Sequence, residues 1–240
     1  MKKALLIAGR ELGAYRRSWL GPAIVAAVLL TDGLLFYGWV LTEKLLSAEA
    51  LSQFFYIASG PLMIAAILLS MRLVAEERQV GTMTLLNTAP ITEFDIVLGK
   101  YLALLAVLVL MTLLSAYMPA LLLVRGKVSF AHVATGYAGL ILLGGAAASI
   151  GLFASSLTRS QIVAGILGAG MLTPLVILWM LARVVDPPLN QFLSGLAIHH
   201  ENYRPFMDGV LELHRVVYYL VVTAFFLLAA TKTLEARRWR

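Results

Sequence analysis

Three acidic groups stand where they could do chemistry: the adjacent pair Glu76-Glu77, and Asp32, which lies inside an apolar run. Four histidines, His132, His199, His200 and His214, are the groups that could share such work. An acidic pair with a histidine at the same depth would make a metal-assisted or general acid–base hydrolase, here an intramembrane protease. The arrangement argues against it, because all four histidines fall in the half of the chain's layout opposite to Glu76 and Glu77. The spacing from His200 to His214 fits no compact metal motif, and neighbouring histidines on a helix point to different faces, so these side chains read as solvated and interfacial. With no cysteine there is no thiol nucleophile, thiolate metal site or disulfide. The sequence has no G-x-x-x-x-G-K-[S/T] phosphate loop, no H-E-x-x-H and no G-x-S-x-G. The chain is therefore read as non-catalytic, with no cofactor or metal of its own.

The elements that position these residues are membrane spans. Of 240 residues, 60% are hydrophobic and 13% charged, against a charged share of roughly 25% in an ordinary soluble domain. This is an all-α integral membrane protein. About 20 apolar residues cross a hydrocarbon core of about 30 Å, and charge-free windows place six spans at about 20–42, 53–73, 101–124, 134–157, 161–182 and 215–232. Ahead of them, Leu5, Ala8, Leu12, Tyr15 and Trp19 recur at helical spacing, with Lys3, Arg10 and Arg17 on another face. Residues 1–19 thus read as an amphipathic helix in the headgroup plane, an anchor without chemistry. A long basic region and the interruption at Asp32 speak against a cleaved signal peptide.

An even number of spans puts both termini on one side. Lys44, Arg125, Lys127, Arg183, Arg204 and Arg215 fall on the other, and the remaining 13 of the 19 basic residues lie with the termini, which makes the termini and residues 74–100 cytoplasmic. The net charge of +6 follows this sorting and forms no single patch, so nucleic acid is not a partner. Spans four and five carry small residues at Gly144/Ala148 and Gly165/Ala169, with Gly151 and Gly168, which predicts a closely packed antiparallel pair joined by a short turn. Pro119 and Pro174 predict kinks. Asp32 is the one carboxylate within a span. It is expected to face a helix interface or an aqueous cavity, or to be protonated, as a structural hydrogen-bonding group or as part of a transport path.

Between spans two and three, residues 72–101 combine charge with a short apolar stretch. Gly81 is a break, Thr82 supplies a hydroxyl that can cap a helix, Met83, Leu85 and Leu86 form an apolar turn, and Pro90 ends it. This predicts a short helix across a water-facing loop, with apolar side chains offered to a partner. The segment 183–214 on the opposite side opens with Asp186-Pro187-Pro188 and has apolar stretches that predict short helices on, or dipping into, that face.

The run Ala75-Glu76-Glu77-Arg78-x-x-Gly81-Thr82-x-x-Leu85-Leu86-x-x-x-Pro90-Ile91, followed by Asp95-Ile96-Val97-Leu98-Gly99-Lys100, resembles the first cytoplasmic loop of ABC type 2 transporter permeases. The likeness is closest to the gliding-motility type, and the nitrous oxide reductase maturation permeases are similar in this loop. Phe206-x-x-Gly209-Val210-x-Glu212, Val216-Val217-Tyr218-Tyr219 and Leu234-Glu235-x-Arg237-Arg238-Trp239 extend it toward the C-terminus. The resemblance implies a six-helix exporter subunit of a bacterial inner membrane. It would pair with a second permease copy, as homodimer or heterodimer, and with two separate ATPase subunits that bind ATP and magnesium, and an accessory protein could join at the outer face. It also implies that Gly81, Thr82, Met83, Leu85, Leu86 and Pro90, led into by Glu76 and Glu77, form the coupling helix that docks in the ATPase. The sequence departs at Thr84, where relatives often carry an acid. Two functions remain open, a transporter of a substrate and an ABC-coupled transducer that passes nothing.

Overall fold

A computed structural model describes residues 2–41, 47–82, 91–125 and 129–238. The helices among them are α1 (Lys2–Arg17), α2 (Leu20–Leu35, continued in π-helical form over Phe36–Leu41), α3 (Ser47–Ser70), α4 (Ala75–Val80), α5 (Glu93–Leu114), α6 (Tyr117–Arg125), α7 (Phe130–Leu157), α8 (Gln161–Ala182), α9 (Leu189–Leu196), α10 (His200–Met207) and α11 (Leu213–Arg238). No strand occurs among the described residues. In hydrocarbon every backbone N–H and C=O must find its partner inside the segment, which helices achieve locally. Six helices, Leu20–Leu41, Ser47–Val80, Glu93–Leu122, Phe130–Leu157, Gln161–Ala182 and Leu213–Arg237, are long and apolar enough to cross a membrane, so the six-span all-α expectation holds.

The six are not equivalent. α7 is the axle, 78% buried along its apolar window, with α3 and the third span at 61%, whereas the second-to-last and last spans are 17% buried and the first 22%. The small residues of α7 explain its place. A Cβ on Gly136 would collide with the Phe55 ring and one on Gly151 with the Ser70 hydroxyl, both on α3; one on Gly139 would meet Phe206 of α10, and one on Gly145 the Tyr101 hydroxyl of α5. The expected close pair of spans four and five forms, but it is not where most of these small residues pack. α7 and α8 do approach closely where Gly168 faces Gly151, but most of the small face of α7 admits α3, α5 and α10.

Pro119 acts upstream of itself. The third span breaks at Ser115-Ala116, four residues before Pro119, whose ring carries no N–H for the Ser115 carbonyl. The Met118 N–H donates there instead at 3.0 Å, and the helix restarts as α6. Pro174, by contrast, lies inside an unbroken α8.

At the end opposite the termini, α9 and α10 form a hairpin whose second arm sinks into the bundle. Tyr203 and Phe206 are fully buried, and Asn202 is buried as well. Buried polar donors here find backbone acceptors: Tyr203 Oη donates to the Phe55 carbonyl at 3.1 Å, Tyr219 Oη to Ile198 at 2.7 Å, and the Asn202 amide to Ala197 at 2.7 Å and Gly195 at 3.0 Å. The expectation of solvated histidines is overturned here for His199. Its ring is buried beside Tyr56 and Tyr203, and Nε2 lies 2.7 Å from Ser59 Oγ, whose own proton goes to the Tyr56 carbonyl, so Nε2–H is the donor. His132 Nε2 donates to the Met207 carbonyl and closes α10. His200 stacks on Trp179 at 4.2 Å.

Candidate functional site

The loop between the second and third spans shows a cluster of charges at both of its ends. α3 stops at Ser70, and the backbone turns over residues 71–74 before α4. That turn is held by one hydroxyl from α7: Ser155 Oγ accepts from the N–H of Val74 (3.1 Å) and Ala75 (3.0 Å) and donates to the Met71 carbonyl (2.8 Å). α4 ends at Gly81, whose φ of 84° is the left-handed conformation that costs glycine nothing. Thr82 Oγ1 reaches back 3.4 Å to the Glu77 carbonyl. The Thr82 hydroxyl thus closes the preceding helix, and the helix expected to follow it lies outside the described residues. Met83, Leu85, Leu86 and Pro90 lie outside the described residues. On the far side of the loop, Thr92 caps α5 by accepting from the Asp95 N–H at 3.2 Å.

Glu76 and Glu77 divide their roles by helical geometry. Glu76 pairs with Arg72 one turn before it, at 2.9 Å, partly in solvent. Glu77 turns inward, and its side chain keeps 13% of its surface exposed. Glu77 Oε1 lies 3.1 Å from Lys100 Nζ and 2.7 Å from an Arg10 nitrogen; Glu11 Oε1 lies 3.0 Å from the same Lys100 Nζ and 3.2 Å from Arg10. Lys100 itself is fully buried. Glu77 Oε2 is buried without a hydrogen-bond partner among the described residues. The reading of this stretch as uniformly water-facing is corrected at Glu77 and Lys100: two anions and two cations compensate one another, which is what makes burial of the lysine tolerable.

α1 completes the arrangement. Gly99 lets it lie directly on α5, since a Cβ there would meet the Ala4 carbonyl at 2.6 Å and Ile7 at 2.7 Å. Tyr15 is buried with its hydroxyl on the Leu69 carbonyl at 2.9 Å and its ring under the Arg72 guanidinium, 5.4 Å away. Burial holds its phenol well above the ordinary value against the pull of Arg72, so it remains a hydrogen donor. Arg10, Glu11, Tyr15, Arg72, Glu77, Thr82 and Lys100 line a cavity of about 280 Å³ between α1, α4 and the start of the loop. Nearby, Arg78 donates to the Ser156 carbonyl and Arg237 to the Leu157 carbonyl at 2.6 Å, which tie α4 and the C-terminus to the end of α7.

The structure does not bring Asp32 to this cluster. It is buried within the bundle beside Thr112 and Ser115 of the third span, at a void of about 10 Å³, and its Oδ1 has no hydrogen-bond partner among the described residues. Nor do the described residues contain a group of acids and histidines placed to hold a metal ion. Glu11, Lys100 and Ser155 are the contributors that sequence reading passed over. Their signal was available only as one acid in a basic amphipathic helix and one lysine at the head of a span.

None of the curated proteins matches the chain. A family model described as ABC-2 family transporter protein matches residues 5–232, a stretch that takes in nearly all of α1, the charged cluster and almost the whole of all six apolar helices. The chain therefore belongs to the ABC-2 family, as the membrane-spanning permease component of an ABC transporter that works with an ABC ATPase.

Proposed function

We propose that the chain is the permease of an ATP-driven exporter in a bacterial inner membrane, with both termini cytoplasmic and with residues 81–90 as the segment on which the partner ATPase docks. The observation that carries this reading is the mount of the loop. Its two ends, Glu77 and Lys100, pair with each other and with adjacent residues of α1, Glu77 with Arg10 and Lys100 with Glu11, so a load applied to the loop reaches a buried, charge-compensated cluster at the head of α5. Met83, Leu85 and Leu86 supply the apolar contact, each contributing about 1.5 to 3 kcal/mol if fully buried. The sparsely buried first, fifth and sixth spans leave faces for lipid and for a second permease copy. A substrate path then lies between copies, since the interior void at Asp32 has only about 10 Å³. The gliding-motility and nitrous oxide reductase maturation permeases remain the subgroups this sequence resembles, and the two-ATPase stoichiometry follows from the same likeness. The same packed interior also accommodates a transducer that passes no substrate; uptake or efflux in proteoliposomes with the ATPase separates the two.

The docking test is Leu85→Asp. The variant inserts and folds but no longer retains the ATPase on purification, because it places an unpaired charge in an apolar contact. Thr82→Ala acts more weakly and leaves the apolar contacts in place. Recovery of the ATPase at wild-type stoichiometry with Leu85→Asp would falsify the assignment.

A further inference from the structure

The structure divides α1 into faces that a simple anchor would not need. Ala4, Ile7, Ala8 and Tyr15 are buried against the bundle, with Glu11 half-buried among them. Leu5 and Leu12, spaced seven apart and therefore in line along the helix, are turned away from the protein, 61% and 37% exposed, and Trp19, just past the end of α1, is 84% exposed. Beside this apolar line the exposed charges have a single sign: Lys2, Lys3, Arg10, Arg16 and Arg17. The one acid of α1, Glu11, is turned inward onto Lys100.

Depth follows from connectivity. Only Ser18 and Trp19 separate α1 from α2, the first span, and Gly21 packs against the Tyr15 carbonyl. α1 therefore lies where hydrocarbon gives way to headgroups, with an apolar line for the acyl boundary and cations for phosphates. We propose that α1 binds the anionic headgroups of the leaflet at the end of the bundle holding the termini, and that this binding, carried by Glu11 to Lys100 and Glu77, holds the loop in the position from which it takes the ATPase. The proposal rests on the docking reading above and adds to it a lipid partner. The occupant of the exposed face is a membrane surface because that face is an apolar line flanked by cations alone, continuous with a span.

The test uses the full chain in nanodiscs of zwitterionic lipid, with or without phosphatidylglycerol, and two readouts. An environment-sensitive fluorophore on Leu12→Cys, in this cysteine-free chain, reports the helix. Titration with the ATPase reports docking. Phosphatidylglycerol shifts the fluorophore to the blue and tightens ATPase binding several-fold, since each basic residue at an anionic surface changes partitioning by about fivefold. The triple variant Lys2→Gln, Arg16→Gln, Arg17→Gln loses both responses and keeps the affinity seen in zwitterionic discs. Glu11→Gln keeps the fluorescence response and loses the response of the ATPase. The proposal is overturned if phosphatidylglycerol moves neither readout in the wild type. It is overturned equally if the triple variant weakens the ATPase to the same extent in both lipids, which would assign the basic face to the ATPase. Leu85→Asp separates the two readings: normal ATPase binding by it removes the docking assignment, and its fluorescence response still decides the lipid contact.

Discussion

Lys100 is the residue on which the proposed coupling site depends. A buried lysine is tolerated because Glu11 and Glu77 both reach its ammonium, and removing it strands two carboxylates with only the exposed Arg10. Breaking a buried pair costs about 3 to 5 kcal/mol, against about 0 to 1 kcal/mol for an exposed one. Lys100→Met therefore lowers the thermal unfolding midpoint of the purified protein sharply, and Arg10→Gln, at a side chain 59% exposed, lowers it little. Equal small effects would remove the cluster from the structural argument. In sequence Lys100 reads as one more cation of a loop, because its partner Glu11 stands 89 positions away and no local period connects them. Asp32 was legible as a buried carboxylate, since the neighbouring residues are apolar enough to commit it to the bilayer.

Among the elements, α7 and the α9–α10 hairpin set the packing. Gly136→Ala on α7 must displace the Phe55 ring, and overpacking of this kind costs about 1 to 3 kcal/mol, whereas Gly170→Ala on α8 meets open space. Melting curves of the two variants are expected to separate, and coincident curves would contradict the placement of α7 against α3. The hairpin carries a pH dependence. Burial, and secondarily the neighbouring His200, push His199 from its ordinary 6.5 down to about 4. Between these values the unfolded chain takes up a proton that the folded one refuses, so stability is full above pH 6.5 and falls as pH drops toward 4, by about 3 kcal/mol in all. His199→Gln is expected to flatten that slope in unfolding measured at pH 7 and pH 5, and an unchanged slope would assign it to another group. The sequence showed that short helices occur here, from apolar runs set off by prolines. It did not show that α10 sinks inward, because the room for Phe206 is made by Gly139 on a distant span.

For the whole molecule, sidedness is the first quantity to measure. In the cysteine-free chain, Gln79→Cys and Glu201→Cys occupy exposed positions at the two ends of the bundle. They are expected to react with an impermeant thiol reagent from opposite sides, Gln79→Cys from the cytoplasm. Reaction of both from one side would overturn the proposed orientation. The sequence by itself determined that the chain is a six-span helical membrane protein, because a continuous apolar run of about 20 residues satisfies its backbone in hydrocarbon as a helix, whereas barrel strands are shorter and alternate in polarity. It also carried the break at Gly81, where the left-handed backbone ends α4. Which span is the axle, which charges are buried together and where α1 rests were decided by tertiary structure alone. They depend on contacts between residues far apart in sequence, where a missing Cβ on one helix and a ring or an ammonium on another are matched only once the chain has folded.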